Sequence, residues 1–133
     1  MRDVKRARLV MIHLDTNALI EALQPGSEAA RRIAGWTSQS EQLGVSAVVW
    51  SEFLCGPLTE RERKLASLLI STPEPFLAVD AEKASELFNQ TGRRSRTLAD
   101  CQIAAVAMRL KAAIYTVNEH DFKPFVYFGA RLA

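Results

Sequence analysis

Histidine and cysteine are scarce in this chain, with two of each in 133 residues, and that scarcity removes several chemistries at once. His13 lies inside an apolar run and His120 stands between Glu119 and Asp121, so neither has the spacing of a zinc ligand pair. Cys55 and Cys101 are far apart, each within an apolar helical pattern, so two buried free thiols are expected rather than a disulfide. No apolar run approaches the roughly 18 residues of a membrane span. Residues 1–8 are basic, but the apolar stretch after them stops at Asp15, too short for a signal peptide and without a small-residue cleavage site. A cytoplasmic protein with no membrane contact is expected. Repeats, low-complexity tracts and linkers are also lacking, so residues 1–133 read as one domain with a basic extension at 1–8.

What is present is an alternation of short apolar runs and amphipathic stretches. Residues 9–14 form a continuous apolar run, as in a strand buried on both faces. Brief strands are also expected at 43–47, 76–79, 113–117 and, marginally, 126–128. Helices are expected over 16–23, from a cap at Ser27 to 39, from a cap at Ser46 to Gly56-Pro57, from Thr59 onward, from a cap at Asp80 to 90, and from Thr97 to 112. Residues 118–122 read as a turn or short helix. Strands alternating with helices indicate an α/β fold around a parallel sheet. In such sheets ligands bind beyond the carboxyl ends of the strands, where Asp15 and residues 118–121 fall.

Most of the fifteen acids have ordinary explanations. Glu60 and Glu62 sit among arginines on a solvated helix, Asp80 caps a helix with Glu82 in its first turn, and Glu21, Glu28, Glu41, Glu74 and Glu86 suit the surface. Four fit less well. Asp15 closes a buried strand, Glu52 lies in a nearly all-apolar helix and is expected to be partly buried, Asp100 opens a helix that is apolar nearly all round, and Asp121 follows a strand. Each has a bland reading, as cap, solvent-facing acid, first-turn acid and turn residue respectively. Together they form a set of carboxylates whose repulsion a divalent cation would offset. Oxygen ligands with no histidine or cysteine cluster suit magnesium or manganese rather than zinc. Such an ion can orient water and stabilise charge on a phosphodiester. With four acids assigned to a cation, eleven remain against seventeen Lys and Arg, a surplus of +6 that suits a polyanion.

The ordered set 14–17 (Leu-Asp-Thr-Asn), Ser51-Glu52, 99–105 (Ala-Asp-Cys-Gln-Ile-Ala-Ala), and 116–118 (Thr-Val-Asn) followed by Asp121-Phe122 resembles the PIN domain, most closely the VapC-type toxins of toxin–antitoxin pairs. The resemblance spans residues 9–128. It implies a three-layer α/β/α sandwich with a central parallel sheet of four to five strands. It also implies a magnesium- or manganese-dependent endoribonuclease, an RNA substrate, a cognate antitoxin and a homodimer. It carries Asp15, Glu52 and Asp100 over as metal-binding acids, with Thr116 and Asn118 lining the site. Relatives differ in whether the fourth acid stands at the position of Asn118 or of Asp121. Here Asn118 is neutral and Glu119 competes, and Asp121 is the choice made. Arg93, Arg94 and Arg96, just before the Asp100 helix, are candidate RNA-backbone contacts, the alternative being a solvated basic loop. An inert PIN-like binding module, seating an antitoxin helix or a second copy against the amphipathic 59–70 helix, is the competing reading.

Overall fold

The computed structural model describes residues 11–94 and 97–133. The basic extension at 1–8, the start of the first strand and Arg96 lie outside the described residues. Four parallel strands, β1 (Met11–Leu14), β2 (Gln42–Gly44), β3 (Ala113–Tyr115) and β4 (Arg131–Leu132), form one sheet in the order β2-β1-β3-β4. Seven helices are described: α1 (Thr16–Ala22), α2 (Glu28–Ser38), α3 (Ala47–Cys55), α4 (Glu60–Leu69), α5 (Ala78–Gln90), α6 (Leu98–Arg109) and α7 (Glu119–Val126). This is the α/β fold with a parallel central sheet that the apolar pattern predicts, at four strands. No helix among the described residues is long and apolar enough to cross a membrane.

Local chemistry sets most boundaries. Asp15, Ser27, Ser46 and Thr59 each accept a hydrogen bond from a backbone N–H of the following first turn, satisfying a donor the helix leaves open. Thr59 and Glu62 do so reciprocally. The core gathers Leu14, Leu19, Phe53, Leu87, Ile103, Ile114, Phe122 and Phe125. Helix α6 is buried on most sides through Cys101, Ile103 and Val106, and its alanines at 104, 105 and 107 let it approach α3, α5, α7 and β3 closely.

Several expectations fail for identifiable reasons. Residues 76–79 are not a strand: α5 begins at Ala78, and the only pairing nearby is an isolated bridge between Ser46 and Glu74. Asp80 is not the cap of α5. It sits inside the first turn, where Oδ2 accepts from the N–H of Leu77 at 2.9 Å, and this bond pulls the preceding residues into the helix start. Nor is Asp80 superficial. It is 1% exposed and bonded at 2.8 Å to Nε of Arg109, whose Nη2 reaches the carbonyl of Pro75 at 3.0 Å. Residues 126–128 end α7 and turn at Gly129, and the last strand comes later, at β4. Both cysteines are free, but Cys55 is exposed and only Cys101 buried. On α4, Leu68 faces outward at 83% exposure.

His13 has no role in the motifs, yet it is 1% exposed with no hydrogen-bond partner for either ring nitrogen. It stands opposite Gly44 in the β1–β2 register, and a Cβ at 44 would lie 2.9 Å from its Nε2, so the missing side chain makes the room. Burial, and secondarily the charge of Arg109, lowers its pKa from 6.5 to about 4. Between those values the unfolded chain takes up a proton that the folded chain refuses. Stability is therefore full above pH 6.5 and falls as pH drops toward 4, by about 3 kcal/mol for this group. The difference in urea stability between the parent and His13→Leu should move by about 2 kcal/mol in the variant's favour from pH 7 to pH 5, a comparison in which other titrating groups cancel. An unchanged difference would remove His13 as its source.

Candidate active site

In the order β2-β1-β3-β4, β1 connects toward one side of the sheet and β4 lies on the other, so β1 and β3 flank the place where the winding reverses. Asp15 and Thr116 follow these two strands directly. The N–H of Asp15 donates to the carbonyl of Tyr115 at 3.1 Å, and the Thr116 hydroxyl donates to the Asp15 carboxylate. Asp15 Oδ1 also accepts from the N–H of Ala18 at 2.8 Å. The carboxylate is thus fixed by the strand end, the start of α1 and the neighbouring strand. At 5% exposure its pKa is raised by burial, which outweighs the hydrogen bonds from Thr116 and Ala18 that lower it, with the charges of Glu52 and Asp121 as smaller raising contributions.

Helix α6 brings Asp100 up to the same end of the sheet. Its pKa is pushed up to about 7, first by desolvation and then by the charges of Asp121, Asp15 and Glu52. Those three are the acids that the sequence singles out with it. Asp15, Glu52 and Asp100 line one cavity of about 210 Å³ with Thr16, Asn17 and Ile103. Glu52 is exposed, not partly buried as expected, because α3 turns Phe53 inward and leaves residue 52 at the cleft mouth. Its Oε1 accepts from the Thr16 hydroxyl. Thr16 was not assigned a role from the sequence, although its place beside Asp15 at the first position of α1 was the available signal.

Asp121 lies one step away. It borders a neighbouring recess of about 600 Å³ with Arg94, Thr97 and His120, and its Oδ2 accepts from Nδ2 of Asn118 at 2.8 Å. Asn118 is held in turn by its N–H donating to Thr116 Oγ1 at 2.9 Å. A chain of hydrogen bonds therefore runs from Asp121 through Asn118 and Thr116 to Asp15. Glu119 instead borders a separate recess with Glu21, Glu28 and Arg32, and its charge does not figure in the shifts of Asp15 or Asp100. Among the described residues, no three His, Cys, Asp or Glu side chains are arranged to hold a common ion as they stand. Three acids share a cleft and the fourth adjoins it.

The arginines divide. Arg93, at φ 58°, turns back to Asn89 Oδ1 and lies over the ring of Phe88, whereas Arg94 borders the Asp121 recess. Arg96 is outside the described residues.

Comparison with known proteins places this geometry. The sequence profile of the PIN domain matches residues 12–124. Among curated proteins none matches the chain. Solved structures do. DNA-bound VapBC from Salmonella typhimurium is similar at a TM-score of 0.72 and 19% identity, over 94% of this chain and 98% of that one. FitAcB from Neisseria gonorrhoeae gives 0.67 and 22%, over 92% and 97%. VapBC-5 from Mycobacterium tuberculosis, a member of the VapBC family of toxin–antitoxin systems, gives 0.56 and 18%, over 92% and 94%. At such identities the likeness is one of fold.

Proposed function

Because the chain belongs to the PIN-domain family, we propose that it is a magnesium- or manganese-dependent endoribonuclease serving as the toxin of a toxin–antitoxin pair. The observation that supports this most is the raised pKa of Asp100, whose causes after burial are the charges of Asp121, Asp15 and Glu52. Four acids from separate elements are loaded against one another at the carboxyl end of the sheet. A group whose affinity for a proton is raised by neighbouring anions has a raised affinity for other positive charge as well.

The donor set fits a hard cation: the cavity holding Asp15, Glu52 and Asp100 has carboxylate, hydroxyl and amide oxygens and no imidazole or thiol. Asp15, Glu52 and Asp100 would hold the ion, with Asp121 from the adjoining recess. When bound, it would supply positive charge against the scissile phosphodiester and a polarising contact for the attacking water. The remaining work falls to the chain. Thr116 and the N–H of Ala18 restrain Asp15, Thr16 restrains Glu52, and Asn118 restrains Asp121, so three of the four acids are held by hydrogen bonds from neighbouring groups. Ile103, 2% exposed, gives the cavity one apolar wall. The proposed partners are RNA, a cognate antitoxin and a second copy of the chain, in the cytoplasm.

The test is cleavage of a labelled single-stranded RNA with magnesium or manganese. Products with 5′-phosphate ends, and arrest by EDTA, are expected. Cyclic 2′,3′-phosphate ends that persist in EDTA would overturn the metal route, since they mark attack by the 2′-hydroxyl with acid–base groups.

Arg94, which borders the Asp121 recess, is the arginine proposed to meet the RNA backbone, whereas Arg93 is turned back to Asn89 of its own helix. Replacing Arg94 by Ala should weaken RNA binding and reduce the slope of log affinity against log salt by roughly 0.7, the share of one phosphate contact on a single strand. Arg93→Ala should leave that slope nearly unchanged. Equal effects from both would mean a diffuse basic loop and no specific contact.

A further inference from the structure

We infer that the recess beyond Asp121 is a nucleobase subsite, in which Tyr127 stacks on a base of the single-stranded RNA cut at the acids. This rests on the nuclease reading and extends it from chemistry to substrate engagement. Helix α7 turns Phe122 and Phe125 inward, edge to face at 5.7 Å, and so presents the end of the helix outward. Tyr127 is left 89% exposed, with Phe128 and Val126 partly exposed beside it. An aromatic ring that open contributes almost nothing to the core.

Two recesses meet there and share Thr91, His120 and Pro124. The inner one, of about 600 Å³, carries Asp121 and Arg94. The outer one, of about 430 Å³, adds Lys123, Gln90 and the rings of Tyr127 and Phe128. The inner recess thus sets Asp121 with Arg94, and the outer one sets Lys123 beside apolar and aromatic groups. That pairing suits a nucleotide strand whose phosphodiester lies at the acids, with Arg94 and Lys123 opposite phosphate oxygens and a base turned onto the aromatic face. Base stacking on an exposed ring, flanked by cations along the backbone, is how single strands are held without strict sequence choice. Gln90 also lines the outer recess, where its amide can meet the rim of a stacked base. Continuity with the acids comes through Asp121, which borders the inner recess while its Oδ2 accepts from Nδ2 of Asn118, itself bonded through its N–H to Thr116 at the end of β3.

The experiment uses the full chain carrying Asp100→Asn, so that RNA is bound and not consumed. Affinity is read by fluorescence anisotropy with a short single-stranded RNA and with versions abasic at one position at a time. Tyr127→Ala should weaken binding about tenfold, in the range of one lost stacking contact, and Tyr127→Phe should restore it. One abasic position should cost the Tyr127 protein about tenfold and the Tyr127→Ala protein nothing further. Unchanged affinity in Tyr127→Ala, or a loss that no abasic position reproduces, overturns the subsite. So does a change in sedimenting mass on Tyr127→Ala, which would make the ring a contact between copies. If the parent protein, with Asp100 intact, cuts RNA and only these binding effects are missing, the subsite fails alone. If it neither binds nor cuts RNA, the nuclease reading fails with it.

Discussion

Asp100→Asn is expected to raise the melting temperature by a few degrees while lowering RNA cleavage about a thousandfold. The two effects have opposite signs because they draw on the same repulsion. In the metal-free protein the Asp100 carboxylate is pushed up to about 7 by burial and by Asp121, Asp15 and Glu52, so its ionised form strains the fold above neutral pH. Asparagine keeps the shape and discards the charge, which relieves that strain. The loss of rate follows from losing a cation ligand, since several kcal/mol of charge stabilisation is about three powers of ten. Magnesium should raise the melting temperature of the parent protein and leave the variant nearly unmoved. Calorimetry with and without magnesium, beside a cleavage assay, checks all three. A variant that melts lower and cuts less would make Asp100 a structural residue.

The second large effect lies at the other end of the same helix. Arg109 ties α6 to the start of α5 by its bond to the buried Asp80 and to the carbonyl of Pro75. Arg109→Leu leaves a desolvated carboxylate with only the N–H of Leu77, and should cost about 3–5 kcal/mol in urea unfolding. Adding Asp80→Leu should recover part of the loss, because an apolar pair leaves no buried charge, although Leu77 then loses its acceptor. Arg109→Lys should recover little: a single ammonium cannot span the carboxylate and the carbonyl as the planar fork does. A loss below about 1 kcal/mol in Arg109→Leu would mean the pair is screened by water and holds little together.

The caps at Ser27, Ser46 and Thr59 were legible because the side chain and the N–H it satisfies lie within three residues. The apolar run at 9–14, bounded by Asp15, was equally plain as a strand. Residues 76–79 misled because a short apolar run has no periodicity of its own, and the contact that decides its fate, Asp80 with Arg109, is 29 residues long in sequence. Asp80 looked like a surface cap for the same reason. Asp15 and Asp100 stood out as acids set against apolar neighbours. The exposure of Glu52 depends on which side of α3 meets the core, and nine residues with little polar contrast do not declare it. The Asp121, Asn118, Thr116 relay was visible as a motif but not as a chain of bonds. Tyr127 was passed over because an exposed ring beside a predicted strand looks like a buried one.

The order of the strands also has a consequence in time. β1 is made first, yet Ile12 pairs with Ala113 as well as with Leu43. Parallel pairing across such a separation is slow, because the loop between the partners must close before any contact rewards it. While the chain emerges from a ribosome, Asp15 waits without Thr116 to aim it, and the cleft has neither Asp100 nor Asp121. On the nuclease reading, the nascent protein is harmless to the message that encodes it until the segment carrying Thr116 and Asp121 has left the ribosome and β3 has folded back onto β1.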